Sequence, residues 1–345
     1  MRIIAISNQK GGCGKTTTAI NLAACLAINN CKVLLIDMDP QAHATLGLNI
    51  SANLSIYNVL SKLTDKKARL CDVVTTVSKN LHLVPSSIIL STLEQELSGE
   101  IGRESCLLNA LNEFNPGGYD YILIDCPPNL GILTINAIRA SGELIIPTEA
   151  SRFSLEGIKQ LLEILELIRD RLNHEISYRV LVTIFDSRLA HSFAMLKKIR
   201  EEFSANLLNT IIHINVKLKE AQNIGSHILN YNKYCRGAKD YFSLSREIIS
   251  QEGPFPLEKE AGQDVVFSLT APEATEVFLA GDFNQWKINL KSKMELREDV
   301  WVKRLQLKPG NYRYRFVIDG QWRQDPKNPH YRLNPFGTMD SLLEI

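Results

Sequence analysis

The 345-residue chain lacks the features that mark several large classes of protein. Its seven cysteines are odd in number and contain no C-x-x-C pair, so neither a disulfide framework nor a zinc or iron–sulfur site of the usual spacing is predicted. The formal net charge is only +1, which argues against a uniformly basic nucleic-acid binder. No apolar run approaches the ~18 residues of a membrane span. We therefore expect a folded cytoplasmic protein with reduced thiols and no membrane partner.

The amino terminus carries no pattern typical of export. Residues 1–7 form a short apolar run that meets a glycine-rich loop at once, whereas a signal peptide has a longer apolar region and a cleavage site. No secretory signal is expected here.

Short apolar runs alternate with helical patterns over the first 250 residues. This alternation predicts an α/β fold, a doubly wound parallel sheet covered by helices on both faces. The predicted helices include 155–172 and 192–203. The predicted strands are 2–7, 32–37, 81–85, 121–125, 142–147 and 179–184.

The composition changes after residue 250. Residues 251–260 carry two prolines, a glycine and charges without a periodic apolar face, and are interpreted as a linker. From residue 261 to 345, short alternating runs separated by turn residues predict a small all-β, immunoglobulin-like sandwich. The runs are 265–269, 276–280, 301–307, 312–318 and 341–345. We therefore predict two domains, residues 1–250 and 261–345.

The most specific motif lies between the first predicted strand and the first predicted helix. Backbone amides at such a junction converge on phosphate oxygens, and the helix amino terminus adds a partial positive charge. Lys15 is expected to reach the β and γ phosphates of a nucleotide, and Thr16 to offer its hydroxyl to Mg²⁺. The predicted nucleotide-binding residues are Lys10, Gly11, Gly12, Cys13, Gly14, Lys15, Thr16 and Thr17.

Two acidic segments follow predicted strands at places where a phosphate site needs metal ligands. Asp125 ends an apolar run, which is a Walker B pattern that predicts a carboxylate holding Mg²⁺ through water. The second segment, Asp37-Met38-Asp39-Pro40-Gln41-Ala42, follows the second predicted strand. Either acid alone would also fit an ordinary turn at a strand end. Their order along the chain after the lysine loop favours one shared site.

The phosphate motif departs from the strict P-loop, because Gln9 stands where that pattern has glycine and a second lysine, Lys10, follows it. This departure resembles the deviant Walker A sequence of the ParA, Soj and MinD ATPases, and the resemblance covers about residues 1–250. It implies ATP and Mg²⁺ as cofactors, an ATP sandwich homodimer, and slow hydrolysis stimulated by a ParB-like or other partner. It also implies that Lys10 reaches the partner's nucleotide in that dimer.

The same resemblance implies roles for three further residues. Asp39 would help to position the attacking water, so that Lys10, Lys15 and Asp39 are the predicted catalytic residues, and Asp37 would support the metal site with Thr16 and Asp125. Asn215 would contact the nucleotide. The chain departs from the family here, since the usual Pro-Arg-Asn is replaced by His213-Ile214-Asn215.

Partition ATPases of this type bind DNA without sequence preference once ATP has dimerised them. Residues 187–250 carry ten basic and five acidic side chains, whereas residues 1–186 carry 16 basic and 19 acidic ones. Arg188 and Lys217 match positions where the family carries DNA-contacting arginines. The resemblance thus implies non-specific DNA as a partner and association with the nucleoid. Lysines on an ordinary solvated face are the alternative interpretation of the charge.

Two related functions lack their sequence requirements. Membrane attachment of the MinD kind requires a terminal basic amphipathic helix, and the last residues here have a strand pattern instead. Electron transfer of the nitrogenase-reductase kind requires paired cluster cysteines, which do not occur.

The second predicted domain carries the segment Gly281-Asp282-Phe283-Asn284-Gln285-Trp286 and later aromatic and basic residues. Aromatic side chains on turns are suited to sugars, because they stack on C–H surfaces. Residues 260–345 resemble the glycogen-binding module of AMP-activated kinase β subunits and isoamylase-type enzymes, which implies an α-glucan such as glycogen as ligand. The residues that the resemblance places at the sugar are Trp286, Arg315, Trp322 and Phe336.

The module also departs from its family, since the asparagine that contacts sugar near the last strand is Asp340 here. The alternative interpretation is that the tryptophans are core or rim residues of a scaffold module that binds protein. Three functions therefore stay open: an ATP-switched positioning protein whose module recruits a glucan-associated cargo, an ordinary partition protein with a scaffold module, and a glucan-sensing regulator without DNA binding.

Overall fold

The computed structural model describes residues 1–114, 118–251, 263–284, 286–297, 299–307, 310–334 and 338–345. Contacts between residues divide the chain into two units, residues 1–257 and 258–345. The predicted linker lies outside the described residues except for Gln251, as does Phe336.

A seven-stranded sheet forms the centre of the first unit, in the order β3-β4-β2-β5-β1-β6-β7. The pairs are parallel except for β3 with β4, which is antiparallel at the sheet edge. The strands are β1 (Arg2–Ile6), β2 (Val33–Asp37), β3 (Thr75–Ser78), β4 (Leu81–Val84), β5 (Tyr121–Asp125), β6 (Glu143–Glu149) and β7 (Ser177–Thr183). The predicted α/β class is confirmed. The edge strand β3 was not predicted, because its polar sequence carries no apolar run.

Helices connect the strands and cover the sheet. They are α1 (Lys15–Ile28), α2 (His43–Leu46), α3 (Ile56–Leu60), α4 (Leu70–Val73), α5 (Leu93–Glu96), α6 (Cys106–Phe114), α7 (Ile132–Arg139), α8 (Arg152–Leu172), α9 (Ala190–Phe203), α10 (Val216–Asn223), α11 (Ile228–Asn232) and α12 (Arg236–Ser250). The described helices are all too short or too polar to cross a membrane.

The central strands bury both of their faces, which explains why they are continuously apolar. Along β1, Ala5 packs in one core cluster, and its neighbours Ile4 and Ile6 pack in another. Strand β2 alternates in the same way, with Leu34 and Ile36 opposite Leu35. Side chains alternate between the faces of a strand, so each face has its own layer of helices.

The parallel strands bring their carboxyl ends to one edge of the sheet. The phosphate motif follows β1, and Asp37 and Asp125, which end β2 and β5, are register partners. Glu149 ends β6 and Thr183 ends β7. Ligands of open α/β sheets bind at this edge, where neighbouring strands connect in opposite directions.

The second unit consists of antiparallel strands in two sheets. One sheet has the order β10-β11-β8, and the other has β13-β12-β15-β14 with β9 also paired to β12. The strands are β8 (Gln263–Thr270), β9 (Val277–Gly281), β10 (Glu295–Arg297), β11 (Val300–Leu307), β12 (Asn311–Ile318), β13 (Gln321–Arg323), β14 (Tyr331–Leu333) and β15 (Met339–Glu344). A core that includes Phe267, Trp301 and Phe316 contains residues of both sheets. This is the predicted all-β sandwich.

Candidate functional site

The phosphate motif forms a loop between β1 and α1. Gly12 and Gly14 have φ angles of 75° and 89°, which glycine adopts without the steric cost of a side chain. The first helical hydrogen bond runs from Thr18 N to Gly14 O at 2.8 Å, so the amides before Thr18 have no partner within the helix. Thr183 Oγ1 donates to Cys13 O at 2.7 Å and fixes the outer side of the loop. The result is a set of N–H donors at a helix amino terminus, which is an anion site.

The two lysines of the loop occupy different environments. Lys15 is buried, and its Nζ donates to Lys10 O at 3.1 Å across the loop. Lys10 Nζ forms an ion pair with Glu149 of the same chain and lies 3.4 Å from Ser154 Oγ. Lys15 is therefore positioned inside the phosphate loop, and Lys10 is held at its mouth by an acid at the end of β6.

The segment after β2 is ordered by Asp37. Its Oδ1 accepts from Asp39 N at 3.1 Å, and its Oδ2 accepts from Thr45 N at 2.9 Å and Thr45 Oγ1 at 2.7 Å. Asp39 Oδ1 in turn accepts from Gln41 N at 2.9 Å. The Asp37 carboxylate therefore fixes the segment that presents Asp39, and its own oxygens are occupied by protein donors.

Asp125 is a carboxylate that accepts no hydrogen bond from the protein. It is fully buried, and neither side-chain oxygen has a hydrogen-bond partner. Burial raises the pKa of Asp125 well above its ordinary value, and the charge of Asp37 raises it further. The Thr16 hydroxyl opposes this rise but does not meet hydrogen-bond geometry. Burial also raises the pKa of Asp37 to about 6.

These groups fit a magnesium ion. Two unpartnered carboxylate oxygens beside a threonine hydroxyl are hard oxygen ligands of the kind that Mg²⁺ uses together with phosphates and water. Within the described ranges, no group of three or more His, Cys, Asp or Glu side chains is arranged to hold a metal. The Asp125 and Thr16 oxygens are suited to a metal that also takes phosphate and water as ligands.

Replacement of the buried Asp125 carboxyl by an amide should stabilise the protein. We expect Asp125→Asn to raise the thermal midpoint at about pH 7 by several degrees, which corresponds to ~1–3 kcal/mol. A carboxyl whose folded-state pKa is raised contributes stability below its unfolded value of about 3.9, and this contribution is lost as pH rises through the folded pKa. The difference between variant and wild type should therefore shrink as pH falls from about 7 towards 4.

Differential scanning calorimetry without nucleotide measures this effect. Asp65→Asn, at an exposed position, is the matched control and should leave the midpoint unchanged. An Asp125→Asn protein that is less stable than wild type at neutral pH would contradict the assignment of an unpartnered buried charge.

A cleft of about 920 Å³ extends from the phosphate loop and is lined by residues of segments 39–47 and 212–223. This volume is in the range of small-molecule sites. Asn215 lines the cleft and caps α10, since its Oδ1 accepts from Lys217 N at 2.9 Å. His213, at a departure from the family pattern, also lines it, with Nδ1 3.0 Å from Asp240 Oδ2. Of the predicted nucleotide residues, the cleft is lined by Gly11, Gly12, Gly14, Lys15, Thr16, Thr17 and Asn215, whereas Lys10 and the buried Cys13 are not in its lining.

Arg188 lies in the turn after β7, and Lys217 lies in the first turn of α10. A bridge between Phe185 and His213 pairs the chain after β7 with the chain before α10. The Arg188 guanidinium binds Asp186 at 2.6 Å, and Lys217 Nζ binds Glu220 at 2.8 Å. Both cations are substantially exposed. Each cation is therefore paired with an acid two or three residues away in its own segment.

Three of the residues predicted at the sugar form one cluster, which we call the aromatic face and define as Trp286, Trp322 and Arg315. The ring centroids of Trp286 and Trp322 lie 6.1 Å apart with 40° between their planes. Arg315 Cζ lies 6.0 Å from the Trp322 ring centre, and Arg315 Nη2 donates to Trp322 O at 2.9 Å. Trp322 is 39% exposed and Trp286 is half-buried, whereas the third tryptophan, Trp301, is 5% exposed in the core.

The departure at Asp340 has a local consequence. Asp340 is buried, and its Oδ1 accepts from Asn334 Nδ2 at 2.8 Å. Its carboxylate therefore takes part in the contacts at the start of β15.

Sequence reasoning did not find the residues that hold the site residues in place. Thr45 binds Asp37, Thr183 supports the phosphate loop, Glu149 pairs with Lys10, and Asp282 binds the Trp286 indole. Glu149 and Asp282 stand in segments that carry the family resemblance, which is the only signal for them in the sequence. Thr45 and Thr183 carry no such signal, because a single threonine has no pattern that predicts its partner.

A doubly wound sheet, a glycine loop followed by a helix, and an unpartnered acid beside a threonine define a P-loop nucleotide-binding protein. A family profile described as an AAA domain matches residues 1–178. The Bacillus subtilis sporulation initiation inhibitor protein Soj is 40% identical over 252 residues, which are 72% of this chain and 98% of Soj. The Treponema pallidum chromosome-partitioning ATPase Soj is 41% identical over 73% of this chain and 98% of its own. The chain belongs to the ParA/Soj family of partition ATPases.

Two further comparisons concern ligands. A family profile described as the glycogen recognition site of AMP-activated protein kinase matches residues 263–345. The crystal structure of cobyrinic acid a,c-diamide synthase from Mycobacterium smegmatis, with bound ADP and magnesium, has a TM-score of 0.63 and 26% identity over 75% of this chain and 99% of that one. The first unit thus shares its fold with a protein solved with ADP and magnesium, and the second matches a glycogen recognition module.

Proposed function

We propose that this protein is an ATP-switched positioning ATPase: ATP dimerises it, the dimer binds DNA without sequence preference, and a ParB-like or other partner stimulates slow hydrolysis that releases it. The observation that carries this proposal is the phosphate loop with two lysines, one inside the loop and one held at its mouth by Glu149. A second lysine at the mouth has no function on the protomer's own phosphates that Lys15 does not already provide. In the proposed dimer, Lys10 would exchange Glu149 for the nucleotide of the partner.

ATP and Mg²⁺ are the proposed cofactors. The loop amides and Lys15 would hold the phosphates, and Asn215 would contact the nucleotide in the cleft. Thr16 and Asp125 would hold Mg²⁺, and Asp37 would support them by charge and by ordering the neighbouring segment. When bound, the metal neutralises phosphate charge. The unpartnered oxygens of Asp125 and the ADP and magnesium of the Mycobacterium smegmatis structure support this proposal.

Asp39 is proposed to orient the water that attacks the terminal phosphate. It lines the cleft, and its backbone N–H and its Oδ1 are both fixed by neighbours in its own segment. Positioning and electrostatic stabilisation account for most catalysis of phosphoryl transfer, so an ordered carboxylate at this place is sufficient for slow hydrolysis.

Dimerisation should depend on Lys10. With a non-hydrolysable ATP analogue, wild type should double its mass in light scattering, and Lys10→Ala should remain a monomer that still binds the analogue. Glu149→Gln, which removes the acid that holds Lys10 within the protomer, should not abolish the dimer. A Lys10→Ala protein that dimerises as well as wild type would show that the cross-dimer role is wrong.

DNA binding should require ATP and weaken as salt rises, because contacts with phosphates release counterions. The exposed side chains of Arg188 and Lys217 support this expectation. We expect Arg188→Glu with Lys217→Glu to lower affinity at least about tenfold at ~50 mM salt on every sequence alike. Fluorescence anisotropy with two unrelated duplexes measures it.

Lys62→Glu reverses an exposed lysine of the acidic part of the chain and is the matched control. Equal DNA binding with and without ATP would contradict the proposal. No binding by wild type with ATP would favour the glucan-sensing regulator without DNA binding.

The second unit is proposed to bind an α-glucan and to recruit a glucan-associated cargo. The tilted tryptophan pair beside Arg315 supports this, since two planes set at 40° suit a chain that curves between sugar units and a guanidinium suits its hydroxyls. The proposed location is the cytoplasm, at the nucleoid. A tagged protein that follows the nucleoid but ignores glucan granules would favour the ordinary partition protein with a scaffold module.

A further inference from the structure

The turn that carries Trp286 has an unusual backbone. Trp286 has a φ of 60°, a left-handed conformation that costs energy for a bulky side chain and persists only where neighbouring contacts hold it. The backbone of the turn is fixed by Trp286 N, which donates to Gly281 O at 2.9 Å, and by Asn284, whose side chain binds both Gly281 N and Leu279 O. These contacts fix the main chain and do not fix the direction of the indole.

The indole direction is set by Asp282. Asp282 Oδ1 accepts from Trp286 Nε1 at 2.9 Å. Asp282 Oδ2 accepts from Arg313 N at 2.9 Å and from Arg313 Nε at 3.2 Å. One carboxylate thus joins the tryptophan of the turn to the main chain and side chain of β12.

Strand β12 holds both members of the tryptophan pair. Arg313 binds Asp282, which binds Trp286, and Arg315 binds the main-chain oxygen of Trp322. Arg313 and Arg315 are two residues apart on one strand, so they lie on the same face of the sheet. The Trp286 indole and the main chain of Trp322 are therefore both attached to one rigid element.

We propose that Asp282 is the positioning residue of the aromatic face: it orients Trp286 against Trp322 so that the free protein already presents the geometry in which a glucan stacks. This inference rests on the proposed glucan-binding function. The indole N–H is engaged by Asp282, so Trp286 offers the sugar its ring face and not a hydrogen-bond donor. A platform fixed before binding loses less conformational entropy when the ligand arrives, and this increases affinity.

The test uses the full-length chain and maltoheptaose, with affinity measured by titration calorimetry. Asp282→Ala should weaken binding about tenfold or more, the effect of losing a hydrogen bond to a charged group. Asp282→Asn, which keeps an oxygen for the indole N–H, should lie between Asp282→Ala and wild type. Glu295→Ala removes an exposed acid from β10 in the other sheet and should bind as wild type does.

Two measurements distinguish positioning from general damage. In a Trp286→Ala background, Asp282→Ala should cause no further loss of affinity, because its effect acts through Trp286. In proteins labelled with ¹⁵N-tryptophan, one indole N–H signal should shift and exchange faster with solvent in Asp282→Ala, while the Trp301 signal, whose Nε1 donates to Ala271 O at 3.0 Å, stays unchanged.

Full additivity of the two substitutions, or an unchanged Trp286 signal in Asp282→Ala, would overturn the inference. If Asp282→Ala also lowers the thermal midpoint, the affinity of Asp282→Asn decides whether Asp282 positions Trp286. An affinity between those of Asp282→Ala and wild type supports that role, and an affinity equal to that of Asp282→Ala contradicts it. Failure of wild type to bind maltoheptaose would overturn the proposed ligand, and the indole signal would then still decide whether Asp282 positions Trp286.

Discussion

Lys15→Ala is expected to lower ATP affinity about 100-fold or more, because it removes charge-assisted hydrogen bonds to two phosphates from a buried loop. Lys15 is buried within the phosphate loop, and its Nζ donates a hydrogen bond across the loop to Lys10 O. When phosphates occupy the loop, Lys15 Nζ would therefore bind them instead of the Lys10 carbonyl. Equilibrium binding of a fluorescent ATP analogue measures the loss.

The matched control is Lys159→Ala, at a half-exposed lysine of α8 that pairs with Glu202. It should bind ATP as wild type does. Asp39→Ala completes the set, since it should bind ATP normally and fail to hydrolyse it, which separates the phosphate clamp from the water-positioning group. Tight ATP binding by Lys15→Ala would show that the phosphate site has been assigned to the wrong loop.

Trp286→Ala and Trp322→Ala are each expected to lower affinity for maltoheptaose and glycogen about tenfold or more, because each removes an aromatic surface from the sugar platform. Both indoles reach solvent in the aromatic face, whereas Trp301 is buried between the sheets. Calorimetric titration and retention on a glycogen column measure the loss.

Trp301→Ala is the contrast that tests the assignment. It should lower the thermal midpoint strongly, since truncation of a buried aromatic typically costs ~3–5 kcal/mol, whereas Trp322→Ala should leave the midpoint nearly unchanged. Equal destabilisation by Trp322→Ala and Trp301→Ala, or no retention of wild type on glycogen, would favour the scaffold interpretation of the module. Neither result would bear on the assignment of the first unit as an ATPase.

Much of the fold could be predicted because its signals are local. Buried parallel strands must be apolar on both faces, so β1, β2 and β5 appear as short apolar runs in the sequence. Strand β3 was not predicted, because this edge strand of Thr-Thr-Val-Ser is half exposed and needs no apolar run. The signal for the glycine loop was equally local, because the dihedral angles of the loop require glycine at fixed positions.

The candidate site was only partly predictable. Sequence order placed the lysine loop and the acids at strand ends, and parallel pairing then made Asp37 and Asp125 neighbours. It did not predict that protein donors occupy the oxygens of Asp37 while those of Asp125 stay unpartnered. That division depends on Thr45, which reaches Asp37 from within α2.

By itself, the sequence determined the class of this protein: a two-lysine phosphate loop after a buried strand, acids at later strand ends, and an appended β module with two turn tryptophans. These signals depend on adjacent residues or on a fixed period, so they can be recognised in the sequence without the structure. Tertiary structure alone decided which groups hold the site residues, including Glu149 on Lys10 and Thr183 on the phosphate loop. Contacts between residues distant in sequence are set by the packing of whole elements, and no local pattern encodes them.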